Sequence, residues 1–198
     1  MLENKIKLPE VIVFAGPNGS GKSTITKMAK TVGKYINADD IKIAIHCTDL
    51  EAAQKAERLR NLAIDEHEDF TFETVLSTDR NLELLRRAKN AGYFIRGIYV
   101  LTADPEINVA RVNARVALGG HDVPEGKIIS RYERALNLIP QLVEVCDILH
   151  IYDNTKLPFR IFKKRKTVYY HWSNKYWDEQ AVSKLTGIPQ ESFDEINN

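Results

Sequence analysis

Residues 11–23 read Val11-Ile12-Val13-Phe14-Ala15-Gly16-Pro17-Asn18-Gly19-Ser20-Gly21-Lys22-Ser23. The first five form an apolar, largely β-branched run of the buried-strand kind. The next eight fit G-x-x-x-x-G-K-[ST], the phosphate-binding loop. Gly16, Gly19 and Gly21 let the backbone bend tightly around a polyphosphate. Amide groups from Gly16 to Thr24 then point inward as an anion nest at a helix N-terminus. Lys22 is placed for the β- and γ-phosphates and the Ser23 hydroxyl for Mg²⁺. Beyond the loop, Ile25, Met28 and Ala29 recur at helical spacing. Strand, loop and helix stand in the order that a nucleotide-phosphate site requires.

Working outward, strand-like and helical stretches alternate. Strands are expected at 35–39, 70–74, 93–101 and 148–152, and helices at 50–68, 79–91, from Pro105 through Arg115, and at 125–146. Alternation of this kind predicts an α/β fold, a parallel sheet covered on both faces. Residues 1–154 are read as that domain and 155–198 as a C-terminal appendage packed on it. After Pro158 a hairpin with a basic tip (163–166) is expected, followed by the aromatics Tyr169, Tyr170, Trp172, Tyr176 and Trp177. Two readings suit that segment: a solvated edge hairpin packing its rings on the core, or a surface combining basic charge with stacking rings.

Bulk properties narrow the function. A net charge of +1 over 198 residues gives no global attraction to nucleic acid or to a membrane surface. No apolar run approaches the roughly 20 residues that span a bilayer. Met1-Leu2-Glu3-Asn4-Lys5 lacks a signal-peptide core. The two cysteines, Cys47 and Cys146, form neither a disulfide framework nor a metal signature. A cytoplasmic location is expected.

Three clusters add chemistry to the loop. Asn37-Ala38-Asp39-Asp40 falls at a strand end, where open parallel sheets bind ligands. A carboxylate there can take the proton of an attacking hydroxyl. Asp39 is the first choice; either aspartate could instead cap the following helix. Glu73, with Thr74, ends the apolar strand Phe70-Thr71-Phe72, where an unpaired carboxylate is costly, so it should meet a substrate hydroxyl or an ion partner. Arg111 and Arg115 lie four apart on one helix face and lead into Gly119-Gly120-His121, a flexible joint; Arg131 and Arg134 follow. Arginine forks neutralise the charge of a transferred phosphoryl group.

Taken together, these segments resemble the zeta-toxin family of P-loop kinases over residues 11–154. The matching pieces are the loop at 16–24, Ile-Asn-Ala-Asp at 36–39, Phe-Glu-Thr at 72–74, Ala-Gly-Tyr at 91–93, the Arg111/Arg115 helix, Gly-Gly-His-Asp-Val-Pro at 119–124 and Arg-Tyr at 131–132. The resemblance implies a P-loop kinase-like three-layer sandwich around a mostly parallel sheet, ATP with Mg²⁺, and phosphorylation of the 3′-hydroxyl of a UDP-linked N-acetyl amino sugar. It places the catalytic aspartate at Asp39, the substrate-binding glutamate at Glu73 and a lid arginine at Arg111 or Arg115. Thr74 and His121 fall beside the acceptor. The family's second lid arginine falls near His121, where this chain has none, and its substrate-contacting hydroxyl two positions after Glu73 is replaced by Val75. Family members are often neutralised by a small protein antitoxin. The expected activity is thus transfer of the ATP γ-phosphate to a small-molecule hydroxyl. An ATP-dependent regulatory protein and a polynucleotide-end kinase are the alternatives.

Overall fold

The computed structural model describes residues 7–120 and 122–194. Seven strands form one sheet: β1 (Glu10–Ala15), β2 (Lys34–Ile36), β3 (Phe70–Thr74), β4 (Phe94–Leu101), β5 (Ile148–Asp153), β6 (Phe159–Arg165) and β7 (Val168–His171). Their spatial order is β2-β3-β1-β4-β5-β6-β7. The first five run parallel; β6 and β7 return antiparallel. The helices are α1 (Lys22–Met28), α2 (Ala38–Ile45), α3 (Asp49–Asp65), α4 (Arg80–Asn90), α5 (Pro105–Ala117), α6 (Glu125–Asn137), α7 (Ile139–Val145) and α8 (Glu179–Thr186). None of the described helices is long and apolar enough to cross a membrane.

Burial follows the sequence pattern. In β1, residues Val11 to Ala15 are all buried, as a strand covered on both faces must be. In β5, Leu149 and Ile151 are buried while His150 and Tyr152 between them are half-buried. The sheet therefore has one fully covered face at that end and one partly open face. On the covered face, Phe70, Phe72, Leu82, Leu85, Ile95, Tyr99, Ile139 and Leu142 share one apolar core with Ile161, Phe162 and Val182 of the C-terminal segment.

Local chemistry moves several element ends from their expected places. The second strand stops at Ile36 because Asn37 caps α2, its side chain accepting from the Asp39 amide at 2.9 Å. Neither Asp39 nor Asp40 is the cap. The stretch 125–146 is two helices rather than one. Pro140 has no N–H to continue α6, and its ring crowds the carbonyl four residues back; a new helix starts with the proline in its first turn, where that missing donor costs nothing. The basic tip of the hairpin is also not uniformly solvated. Lys164 is buried, and its ammonium donates to Val143 O at 2.5 Å and Glu144 O at 3.2 Å, capping the end of α7. At the outer edge, the Asp194 amide donates to Tyr169 O of β7 at 2.8 Å, and Phe193 pairs with Tyr169 as a β-bridge.

Candidate active site

The loop between β1 and α1 is shaped by close approaches that exclude side chains. Gly19 (φ +77°) would put a Cβ 2.5 Å from Asn108 O, and Gly21 (φ +93°) would put one 2.2 Å from the Asn154 amide nitrogen. Side chains from later elements hold the loop's carbonyls: Asn108 Nδ2 donates to Asn18 O at 2.6 Å, and Asn154 Nδ2 to Ser20 O at 2.8 Å. Arg131 of α6 reaches Asn18 Oδ1 at 3.4 Å. Thr24 N turns back to Gly21 O at 3.2 Å; the first amides of a helix, here those of Lys22 and Ser23, have no acceptor within the helix and suit an anion.

Lys22 folds back on this loop, donating to Gly16 O at 2.6 Å and Pro17 O at 2.9 Å. Desolvation pushes its ammonium down to about 8, against the pull of the Glu73 and Asp39 carboxylates and with the repulsion of Arg115. Ser20 Oγ is fully buried beneath the loop without a partner.

A cleft of about 460 Å³ opens over the loop. Its lining brings together Asn18, Gly19, Gly21, Lys22, Ser23, Thr24, Asp39, Glu73, Thr74, Arg111 and Arg115, as expected from the sequence. Gly16, Pro17 and Ser20 form the underside of the loop instead. Thr74 has structural duties, its hydroxyl accepting from Leu76 N at 2.9 Å and Asn81 Nδ2 at 2.8 Å. Glu73 meets its partner inside the protein: the Tyr35 hydroxyl donates to Glu73 Oε1 at 2.6 Å, and burial together with this carboxylate raises the Tyr35 pKa. Arg111 uses Nη2 to hold Asn154 O at 2.8 Å and Thr155 O at 3.2 Å, while its Nη1 is buried without a partner. His121 lies outside the described residues.

A second hollow of about 430 Å³ adjoins the first. Ser23, Asn37, Asp39 and Glu73 line both. The second hollow adds Thr26, Lys27, Thr31, Tyr35 and Asp40. Asp39 thus stands at the junction of a cationic lobe and a lobe rich in hydroxyls and carboxylates.

Two residues of the site escaped the sequence reading. Arg60 lines the cationic lobe from α3, its guanidinium 5.0 Å from the Phe72 ring centre and its Nε buried without a partner. Its neighbours in the groove between α3 and α4 are paired, Arg80 with Glu57 and Arg87 with Asp65. A signal existed: Arg60 falls on the stripe of buried Ala52, Ala56 and Ala63. Asn154 follows directly on β5, and its amide braces the loop at Ser20 O rather than lining the cleft.

The sequence profile of the Zeta toxin family matches residues 2–173. The chain belongs to the zeta toxin family. A relative from Haemophilus influenzae, described as an uncharacterized protein, is 34% identical over 129 residues, which is 62% of this chain and 92% of the relative. Among solved structures, one from the PezAT chromosomal toxin-antitoxin system of Streptococcus pneumoniae has a TM-score of 0.61 at 17% identity, covering 94% of this chain and 79% of that one. The AvrRxo1-ORF1:-ORF2 complex with ATP has a TM-score of 0.63 at 12% identity, covering 90% of this chain and 63% of that one. At those identities the likeness is one of fold, and it establishes the kinase-like architecture of this zeta toxin family member.

Proposed function

We propose that this zeta toxin family protein transfers the γ-phosphate of ATP to a hydroxyl of a small polyhydroxylated acceptor, with a UDP-linked N-acetyl amino sugar as the first candidate. The observation that carries this reading is the placement of Asp39 between the two lobes. The cationic lobe presents Lys22, Arg60, Arg111 and Arg115, an excess of positive charge suited to a triphosphate. The other lobe offers Tyr35, Asn37, Asp40 and Glu73 to a sugar's hydroxyls.

Among the described residues no cluster of three or more His, Cys, Asp or Glu could cage a metal. That fits Mg²⁺, which keeps waters and leans on substrate phosphates rather than on an all-protein site. The Ser23 hydroxyl would be its protein ligand, and the ion would neutralise charge on the phosphates. The chain's own groups do the rest. Loop amides and Lys22 hold the β- and γ-phosphates. Asp39 orients the acceptor hydroxyl and takes its proton, since it alone of the two aspartates borders both lobes. Glu73, steadied by Tyr35, holds the acceptor. Arg111 and Arg115 neutralise the moving phosphoryl group. A small antitoxin protein is the expected partner, in line with the family and with the PezAT toxin-antitoxin system, from which a structure of the same fold comes.

Incubation with γ-labelled ATP and a panel of nucleotide sugars tests the proposal. Label should move to an acceptor, and Asp39→Asn should lower turnover by about 10²- to 10⁴-fold while leaving ATP affinity in place. No transfer to any acceptor, or full turnover in Asp39→Asn, would sink it.

A further inference from the structure

The cleft uses none of the basic and aromatic residues that follow Pro158. Four of them, Arg160, Lys163, Tyr170 and Trp172, meet instead on the half-open sheet face behind α1, which is only seven residues long. A cavity of about 470 Å³ lies there, floored by Ile98, His150 and Tyr152 and walled by Ile25 and Ala29. Strand register carries the floor outward. Ile98 stands opposite His150, His150 opposite Lys163, and Lys163 opposite Tyr170. In the next row, Tyr152 stands opposite Arg160. Arg160 lies 4.2 Å from the Trp172 ring centre and Lys163 lies 5.4 Å from that of Tyr170.

Charge on this face is one-sided. Glu10, which lines the cavity, is taken by Arg96 at 2.8 Å. Arg160 and Lys163 make no ion pair among the described residues. His150 Nδ1 and Arg160 Nε are buried without hydrogen-bond partners. Burial, then the charges of Arg160, Lys163 and Arg96, push His150 down to about 4, so its ring is neutral at pH 7. The chain's net charge of +1 conceals this local excess.

We propose that this sheet face binds single-stranded nucleic acid, with phosphates on Arg160 and Lys163 and bases against the rings of His150, Tyr170 and Trp172. An acidic peptide would satisfy the cations but leave a row of aromatic planes unused; a single strand uses both. Adjacent rows lie about 7 Å apart, two residues of strand rise, which suits one extended strand rather than a duplex groove. This site does not depend on the phosphotransfer reading, because α1 separates it from the cleft: Ser23 and Thr24 face the cleft, Ile25 and Ala29 the cavity.

Fluorescence anisotropy of a labelled oligouridine of about twelve nucleotides, titrated with the full chain, tests it. Binding should weaken with salt at a log–log slope of about −1.4 to −2, the release expected for two or three phosphates. Arg160→Glu with Lys163→Glu should weaken binding by about tenfold or more, and Tyr170→Ala with Trp172→Ala should do so without any change of charge. Circular dichroism melting checks that these variants fold; Lys163→Gln, a milder change, should still weaken binding measurably. Absence of binding at about 100 µM protein overturns the proposal. So does equal binding by wild type and Lys163→Gln, or displacement of the strand by ATP and Mg²⁺, which would put it in the cleft. Loss on charge reversal but not on ring removal would mark a surface for acidic chains in general and also overturns it.

Discussion

At the scale of single residues, Lys22 decides how the site responds to pH. Its ammonium is pushed down to about 8 from 10.5. Between those values the unfolded chain binds more protons than the folded one, so this group makes the nucleotide-free protein more stable as pH rises through that window. Phosphate oxygens favour the ammonium, so ATP binding must restore the proton. ATP affinity should therefore fall above pH 8, by up to about tenfold per unit. Calorimetric titration at pH 7 and pH 9 in buffers of different ionisation heat checks this; equal heats at pH 9 would contradict it. Tyr35 makes a second residue-scale prediction. Tyr35→Phe removes the hydrogen bond to Glu73, and because the pair is partly exposed the cost should be about 1 kcal/mol, or about fivefold in acceptor KM with kcat nearly unchanged. A fall in kcat with KM unchanged would instead make Tyr35 part of the chemistry. The loop, Asp39 and Glu73 were legible in the sequence because their spacing is set by short-range geometry. Arg60 and Asn154 were not, since one reaches the cleft and the other the loop from distant elements. Even so, the place of Arg60 on an alanine stripe was readable as a buried cation in need of a reason.

At the scale of elements, β3 was readable residue for residue, because Phe70, Thr71, Phe72 and Thr74 are aromatic or β-branched strand formers that begin directly after Asp69. The helix over 125–146 was misread because apolar periodicity continues across Pro140, and only the missing donor breaks it. The basic run 163–166 was half misread: strand alternation sends Lys164 to the covered face and Lys163 to the open one. Lys164→Met should cost about 1–3 kcal/mol in thermal or urea unfolding, since Val143 O and Glu144 O lose their donor. Lys163→Met, one residue away on the open face, should leave the midpoint nearly unchanged. Equal effects would refute the assignment of faces.

At the scale of the molecule, the C-terminal segment completes the core. Ile161, Phe162 and Val182 are fully buried, and each such side chain contributes about 1.5–3 kcal/mol. Their sum is comparable to the whole stability of an ordinary domain. A chain stopped at Asn154 should show no cooperative melting transition; a sharp one would mean that the first five strands stand alone.

The two margins of the sheet carry a last consequence. One margin is β2, only three residues long and bearing Lys34. The other is β7, whose outer backbone is already engaged by Phe193 and Asp194. Strands left bare at a border recruit copies of themselves into fibrous stacks. Here one border is too brief to serve as a template and the other is latched by the chain's own tail, which guards concentrated protein against self-templated aggregation.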